Sequence, residues 1–526
     1  MIGHYARDRE STEPYWVNGL AGALSTGGPV WHYFYTHHYP LHAEALVLPI
    51  GAALLGALVA LTARRFQGLI ATFLFALLLF VFVDLQFDLL AYVPMWLVAA
   101  GLLCLAQLFW RRRALLICIT LGAFYVATLP RGDTNARIGK TGTGDAVSRP
   151  MLVHVILDEQ WGPGGVRAAG DSATARFMEE FYSRHGFEVY SGAYSRWRLT
   201  RFSIPSILAL GQPFAVDSSV PNQPEWTDRR MRPRSNPYFG LLRLRGYQVM
   251  VYESSYMDYC DTPGVEVAWC DKAPSNSIAN IAHLRGSWLQ RAQLCMRFFL
   301  NATSTVYRRL QPDSEVWRRS VIGGAFAQFE RLIDDVRTAD VVRGAAYFVH
   351  VLMPHNPLEV DAQCRVYPDV SHRVAYGRNR EPLTDSLWRA RVAMYGEQTR
   401  CVHRYMARLL TVIDSTAGRD HSIVVVHGDH GSRMLQSGLA SMPLSQMSPA
   451  QLNAIFSTLL AVRRPTGRPG VNRRAVPLQD FMWQLITSDF GSDSLAAWEH
   501  FVRASTGLDS LRRLEPADMV WADSEP

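Results

Sequence analysis

Between about His42 and Pro130 the chain is almost wholly apolar. Four stretches, roughly 43–63, 68–87, 89–110 and 114–130, come near the ~20 residues a helix needs to cross the hydrocarbon core of a bilayer, the last at the short end. A cleavable signal is one shorter apolar run near the start, which this is not. The pattern predicts a multi-pass helical membrane region over residues 1–130. Charges between the stretches orient it. Arg64 and Arg65 separate the first two, and Arg111, Arg112 and Arg113 separate the third and fourth. The connection between the second and third carries Asp84 and Asp88 and no cation. Cationic loops stay in the cytoplasm, so the N-terminus and everything beyond residue 130 are expected outside. The stretch from Pro14 to His37, with Trp16, Trp31, Tyr33, Phe34 and Tyr35, is too polar to be set beside these four. Its aromatic residues favour the interface, which reads as a surface or re-entrant segment. A fifth span is the second reading, and it moves only the N-terminus.

Residues 131–149 are polar and glycine-rich, a linker to a domain over 150–526. There short β-rich runs (Leu152–Leu157, Tyr247–Tyr252, Ala345–Val351, Ser422–Val426 and Phe456–Val462) alternate with long amphipathic stretches such as Gly324–Arg337 and Ala390–Asp414. Nearly continuous apolar strands between helices predict an α/β domain whose central sheet is mainly parallel and covered on both faces. Ligands of such sheets bind beyond the C-terminal strand ends. Asp158, His355 and Asp429 each follow a predicted strand closely, so sequence-distant residues are expected to meet at one edge.

The formal charge of +7 is not a nucleic-acid signal, because the cations are scattered arginines with no run longer than Arg111–Arg113. Arginines near a bilayer attract acidic headgroups; ordinary solvated arginines explain them equally well. Of seven cysteines, Cys104 and Cys118 fall inside expected spans. Cys260 and Cys270 flank an Asp-Thr-Pro-Gly turn and can be bridged, as can Cys364 and Cys401, which leaves Cys295 over. No C-x-x-C spacing is present, so a structural zinc site is not expected.

Three short pieces carry chemistry. Asp158 and Glu159 close the apolar run Met-Leu-Val-His-Val-Ile-Leu. Hard oxygen ligands of this kind suit a divalent cation, and a helix cap is the alternative. Thr200 opens Thr-Arg-Phe-Ser-Ile-Pro-Ser. A hydroxyl at a helix N-terminus sits where negative charge is favoured, and beside a metal it becomes a nucleophile; again capping is the plain alternative. Gly428-Asp429-His430-Gly431 follows Ile-Val-Val-Val-His and is the most specific piece, offering O and N ligands to one ion. His427 alternates onto the other face of that strand. His350 lies inside a strand, whereas His355, between prolines at its end, is placed to touch a phosphate or protonate a leaving oxygen. Arg196, Arg198, Arg201 and Arg433 flank these pieces, and Arg201 and Arg433 are the candidates for binding substrate phosphate.

On these residues the outer domain resembles the sulfatase-like branch of the alkaline phosphatase superfamily, and within it the membrane-anchored phosphoethanolamine and phosphoglycerol transferases. The resemblance covers roughly residues 150–465. It implies an alkaline-phosphatase-like α/β fold with a catalytic divalent metal, zinc first and manganese second. By the same resemblance the ligands are Asp158 or Glu159 or both, Thr200, Asp429 and His430, with Thr200 as nucleophile. Thr200, Ser203 and Pro205 match the nucleophile segment, and His355-Asn356-Pro357 the substrate-side His-x-Pro. The usual Ser before Asp-His is Gly428 here, and Ser432-Arg433 replaces the acid that often follows. The sulfatase Cys/Ser-x-Pro-x-Arg signature is missing, which argues against sulfate-ester hydrolysis. The expected activity is transfer of a phospholipid headgroup, phosphoethanolamine or phosphoglycerol, to a glycan or glycolipid outside the bacterial cytoplasmic membrane. A membrane-tethered phosphodiesterase and a non-catalytic interaction domain are the rivals.

Overall fold

The structure is a computed structural model that describes residues 14–65, 69–87, 101–102, 120–121, 125, 149–210, 231–233, 235–254, 256–262, 264–274, 277–310, 314–339, 344–367, 384–432, 442–491, 498–503 and 511–520. The stretches expected to span at 89–110 and 114–130 fall outside these but for a few residues, as does Arg433. The chain divides into two compact units, Met1–Asn135 with Asn276–Gly323, and Ala136–Ser275 with Gly324–Pro526. Residues 276–323, expected within the 150–526 domain, therefore belong by packing with the N-terminal helices.

The first unit is helical. Ala43–Arg65 and Leu69–Phe87 fall where the first two spans were expected. Among the described residues Ala43–Ala63 is the one stretch long and apolar enough to cross a membrane. Tyr15–Thr36, read as a surface or re-entrant segment with a fifth span as the second reading, is one continuous helix of 22 residues. Its polar residues are accommodated by packing. Ser25 Oγ donates to Ala21 O at 2.8 Å within the helix, and Thr26 Oγ1 reaches Ala52 O of the neighbouring helix at 2.6 Å. The backbones approach so closely that a Cβ on Gly22 would lie 2.2 Å from Gly56 O. Small residues at such contacts are the usual means of packing helices in a bilayer.

The second unit holds one sheet of eight strands: β1 (Met151–Leu157), β2 (Glu188–Tyr194), β3 (Gln248–Ser254), β4 (Trp269–Ala273), β5 (Ala345–Val351), β6 (Ser422–Gly428), β7 (Leu460–Arg463) and β8 (Gly470–Pro477). Their order is β4-β3-β5-β1-β6-β7-β2-β8. Neighbours pair parallel throughout except at β7, which is antiparallel to both β6 and β2. The expected strand Phe456–Val462 is corrected at its start. Phe456 ends a helix, Pro449–Phe456, capped by Ser448, and the strand that follows runs against its neighbours. β2, β4 and β8 escaped sequence reading; β4 and β8 are sheet edges whose charged, partly exposed residues break any apolar run, and β2 mixes Glu188, Ser191 and Gly192 with its apolar residues.

Leu152, Ile156, Val251, Phe348 and Val425 face one side of the sheet, where Ile204, Phe239 and Met482 from three helices cover them. The alternate residues Val153, Val155 and Leu157 are equally buried, so both faces are covered. Two disulfides tie loops of this unit to regular elements, Cys260 to Cys270 in β4 and Cys364 to Cys401 in the helix Asp385–Thr416, and Cys295 in the first unit is free and buried. Arg196 is fully enclosed. Its Nε donates to Asp480 Oδ2 at 2.6 Å, its Nη2 to Glu499 O at 2.9 Å, and its guanidinium lies 3.6 Å over the Phe501 ring. Deleting one member of such a pair strands the other charge. Arg196→Ala is therefore expected to lower unfolding stability by about 3–5 kcal/mol, whereas Arg196→Met with Asp480→Leu recovers most of the loss. Denaturant unfolding of the three chains, followed by tryptophan fluorescence, measures both.

Candidate metal and nucleophile site

Strand register brings the site together. β1 lies between β5 and β6 with Leu157 opposite both Val351 and Gly428, so the three strands end level. Asp158 and Asp429 are then the next residues out on adjacent parallel strands. Asp158 N donates to Val351 O at 3.0 Å, and Glu159 N to Asp429 Oδ1 at 2.9 Å. One glycine is essential to this approach. A Cβ on Gly428 would lie 2.4 Å from Gln160 O and 2.5 Å from Thr458 Oγ1.

One donor atom each from Asp158, Asp429 and His430 lie within 4.8 Å of one another, and all three residues are buried. His430 Nδ1 is 2.6 Å from Gly431 O. A carbonyl only accepts, so Nδ1 carries the proton and the Nε2 lone pair faces Asp429 Oδ2 at 3.2 Å. Asp158 Oδ1 and Asp429 Oδ2 are buried without a hydrogen bond among the described residues. Orphaned carboxylate oxygens facing an imidazole lone pair are repulsive until a cation lies among them. The donor set therefore fits a divalent metal, and two oxygens with one nitrogen suit zinc or manganese. Burial opposes ionisation of Asp158, but the imidazoles of His355 and His350 outweigh it and hold the carboxyl at about 2.

Thr200 is the first residue of the helix Thr200–Leu208. It does not cap that helix: Leu199 is the N-cap, and Thr200 Oγ1 lies 3.2 Å from His430 Nε2. The opening N–H groups of a helix have no partner within it and favour an anion. Ser203 Oγ donates to Asp429 O at 2.5 Å, and Gln479 Nε2 lies 2.9 Å from the same hydroxyl. These bonds pin the helix Thr200–Leu208 to the end of β6.

Glu159 stands outside the three-residue set. Its backbone is left-handed, φ 56°, a costly conformation for a residue with a side chain. That turn aims its carboxylate at Ser432 Oγ, 3.4 Å away, and at His355 Nε2, 3.5 Å away. His355 is one-third exposed, at 32% for its side chain, and thus reaches solvent. His350, by contrast, is wholly buried, its Nε2 3.6 Å from Asp158 Oδ2 and its Nδ1 2.9 Å from Tyr259 Oη. Arg201 is exposed on the first turn, its guanidinium 4.9 Å over the Phe202 ring. The flanking arginines Arg196 and Arg198 are not phosphate clamps. The first is committed to Asp480, and the second is buried with Nη1 donating to Met442 O at 3.0 Å.

Several supporting residues were invisible in sequence. Tyr395 Oη donates to Glu159 O at 3.0 Å and accepts from Trp161 N at 2.7 Å, holding the turn after β1. Gln398 lies against the carbonyls of Pro354 and His355, both at 3.1 Å, and its Oε1 accepts from Glu359 N. The two are three residues apart on the helix Asp385–Thr416, so they share a face. Polar residues on an otherwise apolar stripe were the one available signal. Beneath the metal ligands, His427 Nδ1 donates to Gly428 O at 2.7 Å and its Nε2 accepts from His154 Nε2 at 2.7 Å. His154 Nδ1 must then accept from Tyr238 Oη, 3.1 Å away. Burial keeps both imidazoles neutral, His427 at about 4 and His154 well below its ordinary value.

No family model matches the chain, and no curated protein matches it. Among solved structures it is similar to the phosphonate monoester hydrolase of Agrobacterium radiobacter, with 14% identity over 65% of this chain and 74% of that one, TM-score 0.42. It is similar to the zinc complex of the C-terminal periplasmic domain of EcEptC from Escherichia coli, with 12% identity over 72% and 96%, TM-score 0.40. It is also similar to the lipoteichoic acid synthase LtaP from Listeria monocytogenes, with 12% identity over 73% and 80%, TM-score 0.36. No activity, substrate or metal passes from these proteins to this chain.

Two expectations follow from the geometry. Gly428→Ala must displace Gln160 or Thr458, and it is expected to weaken divalent-metal affinity by roughly 10–100-fold, read by calorimetric titration. Glu253, which holds Tyr259 N at 2.5 Å and so supports His350, is pushed by burial up to about 7 from 4.5 despite Lys272. A carboxyl raised in the folded state contributes stability that is complete below about pH 4.5 and lost as pH rises through about 7. Glu253→Gln is expected to remove that slope from the midpoint of denaturant unfolding measured across the window.

Proposed function

We propose that this chain is a membrane-anchored, metal-dependent phosphoryl transfer enzyme. Its donor is a phospholipid, its acceptor a hydroxyl of a glycan or glycolipid, and Thr200 is its nucleophile. The observation that carries the reading is the position of Thr200 Oγ1, at a helix N-terminus and 3.2 Å from His430 Nε2, beside the orphaned oxygens of Asp158 and Asp429. A hydroxyl so placed is neither a cap nor a packing group. The motif resemblance at Thr200, Ser203 and Pro205 and at His355-Asn356-Pro357 supports the same reading, as does the apolar helix Ala43–Ala63 for the anchor. The phosphoryl-bearing unit is then assigned to the outer face of a bacterial inner membrane, the sense given by Arg64 and Arg65.

Asp158, Asp429 and His430 would hold the cation, with Thr200 beside it. Once bound, the cation, zinc first and manganese second, would lower the pKa of the hydroxyl and offset charge on the phosphoryl oxygens. Thr200 Oγ attacks phosphorus as the bond to the diacylglycerol oxygen breaks, which leaves phospho-threonine. The unpaired N–H groups opening the helix Thr200–Leu208 face the charge that develops there. His355 gives its proton to the leaving oxygen and takes one back from the acceptor hydroxyl in the second displacement. Glu159 sits at 3.5 Å to steady the protonated imidazole before the first step and after the second. Gln398 fixes the loop that carries it.

A phosphodiesterase that ends on water is the second reading, and the partial exposure of His355 favours it. Incubation of the purified chain with labelled phosphatidylethanolamine or phosphatidylglycerol, followed by intact mass and product analysis, separates them. A headgroup-phosphate adduct at Thr200, lost in Thr200→Ala together with roughly a thousand-fold or more of the rate, is the expected result. Free headgroup phosphate without acceptor product moves the reading to the hydrolase. Chelation is expected to abolish turnover, restored by zinc or manganese. No adduct, no turnover and no bound metal would remove the enzymatic reading.

A further inference from the structure

Residues 276–323 interrupt the catalytic unit in sequence and pack with the N-terminal helices, which no part of the proposed chemistry requires. Their main element is the helix Trp288–Thr303, opened by a capping box of Ser287 and Gln290 and followed by Thr305–Leu310. Two carboxylates seat it. Glu44, wholly buried in the first turn of Ala43–Arg65, accepts from Arg291 Nε and from Tyr39 Oη, both at 2.8 Å. Asp84, 5% exposed near the end of Leu69–Phe87, accepts from Ser304 Oγ and, at 3.1 Å, from Thr305 N. Each is an acid on an otherwise apolar helix, and a lone acid there costs several kcal/mol. The inserted segment supplies a partner to both.

The position of these two seats locates the helix. Ala43–Arg65 and Leu69–Phe87 are joined by three residues and pack through Ala60 and Ala63 on Ala76 and Leu78, an antiparallel hairpin. Glu44 begins the first helix and Asp84 closes the second, so both lie at the same end of the pair. Arg64 and Arg65 lie at the other end, the cytoplasmic one. The helix Trp288–Thr303 thus reaches from one outer helix end to the other and caps the hairpin along the plane of the bilayer surface. Its buried face is Ala292, Leu294, Cys295, Phe298 and Phe299. Beside the exposed Gln290 and Gln293, its first turn shows two large apolar side chains, Trp288 at 49% exposed and Leu289 at 53%, and Leu310 of the following helix is 81% exposed. Leu41, beside Glu44 in sequence, is 78% exposed.

We infer that this segment is an interfacial element whose uncovered residues, Trp288, Leu289 and Leu310, insert into the outer leaflet of a phospholipid bilayer. The occupant follows from continuity with the apolar hairpin it caps, because a bilayer around Ala43–Ala63 ends where these side chains begin. An aromatic ring beside leucines at the end of a span is the composition such an interface takes. This inference rests on the membrane reading of the N-terminal helices.

The test uses the full chain, with Cys104, Cys118 and Cys295 replaced and single cysteines introduced as Trp288→Cys, Leu289→Cys, Leu54→Cys and Arg184→Cys. Each chain is labelled with an environment-sensitive fluorophore and reconstituted in phosphatidylethanolamine–phosphatidylglycerol vesicles. Leu54 is 66% exposed on Ala43–Arg65, and Arg184 is 75% exposed in the catalytic unit. Labels at 288 and 289 are expected to be quenched several-fold more by lipids carrying a shallow nitroxide than the label at 184, and shielded several-fold from an aqueous quencher. Lipid quenching at 54 but water access at 288 and 289 equal to that at 184 would overturn the inference while the membrane reading stands. Free water access at 54 as well would overturn the membrane reading and the inference with it.

Discussion

The site depends on three parallel strands ending at the same level. β5, β1 and β6 pair so that Val351, Leu157 and Gly428 lie in one row. A slip of one residue would send Asp158 or Asp429 to the opposite face, because side chains alternate with a period of two. Parallel pairing buried on both faces specifies that register strongly, and Gly428 lets the next turn approach. The ligands therefore owe their convergence to the sheet core several residues away.

A second tier of polar contacts removes the freedom that remains. Gln479 and Ser203 tie the helix Thr200–Leu208 to β6, Tyr395 holds the turn after β1, and Gln398 holds the His355 loop. Beneath them the hydrogen bonds run in one direction, from Tyr238 through His154 and His427 to Gly428 O. Each donor and acceptor is assigned by its neighbour, which leaves one tautomer for each imidazole. Preorganisation of this kind matters where charge moves, since groups already in place pay no reorganisation as it does.

Much of this was legible in the sequence, and for a physical reason. A buried parallel strand is a continuous apolar run, and the chemistry of an α/β sheet lies just past its C-terminal ends. The run ending at Leu157 and the one ending at His427 therefore pointed at Asp158 and Asp429. Edge strands gave no such run, so β4 and β8 went unread. β7 was read with the wrong start, because apolarity alone does not tell the end of a buried helix from a strand. Supporting polar residues such as Tyr395 and Gln479 resemble any other side chain until the fold sets them beside a site. The helicity of Tyr15–Thr36 went unread because Ser25 and Thr26 satisfy their hydroxyls on helix carbonyls, a use that composition does not register.

The discontinuous first unit has a consequence for how the chain can be made and cut. Its helices cannot be completed until residue 323 has left the ribosome, by which time β1 to β4 of the other unit have already emerged. Glu44 and Asp84 wait through that interval without Arg291 or Ser304. A cut between residues 131 and 149 would not yield two self-sufficient halves. The N-terminal piece would keep two buried acids without their partners, and the C-terminal piece would carry Leu294, Phe298 and Phe299 with nothing to cover them. Here the familiar division of such a chain into anchor and soluble domain passes through the middle of a folded body.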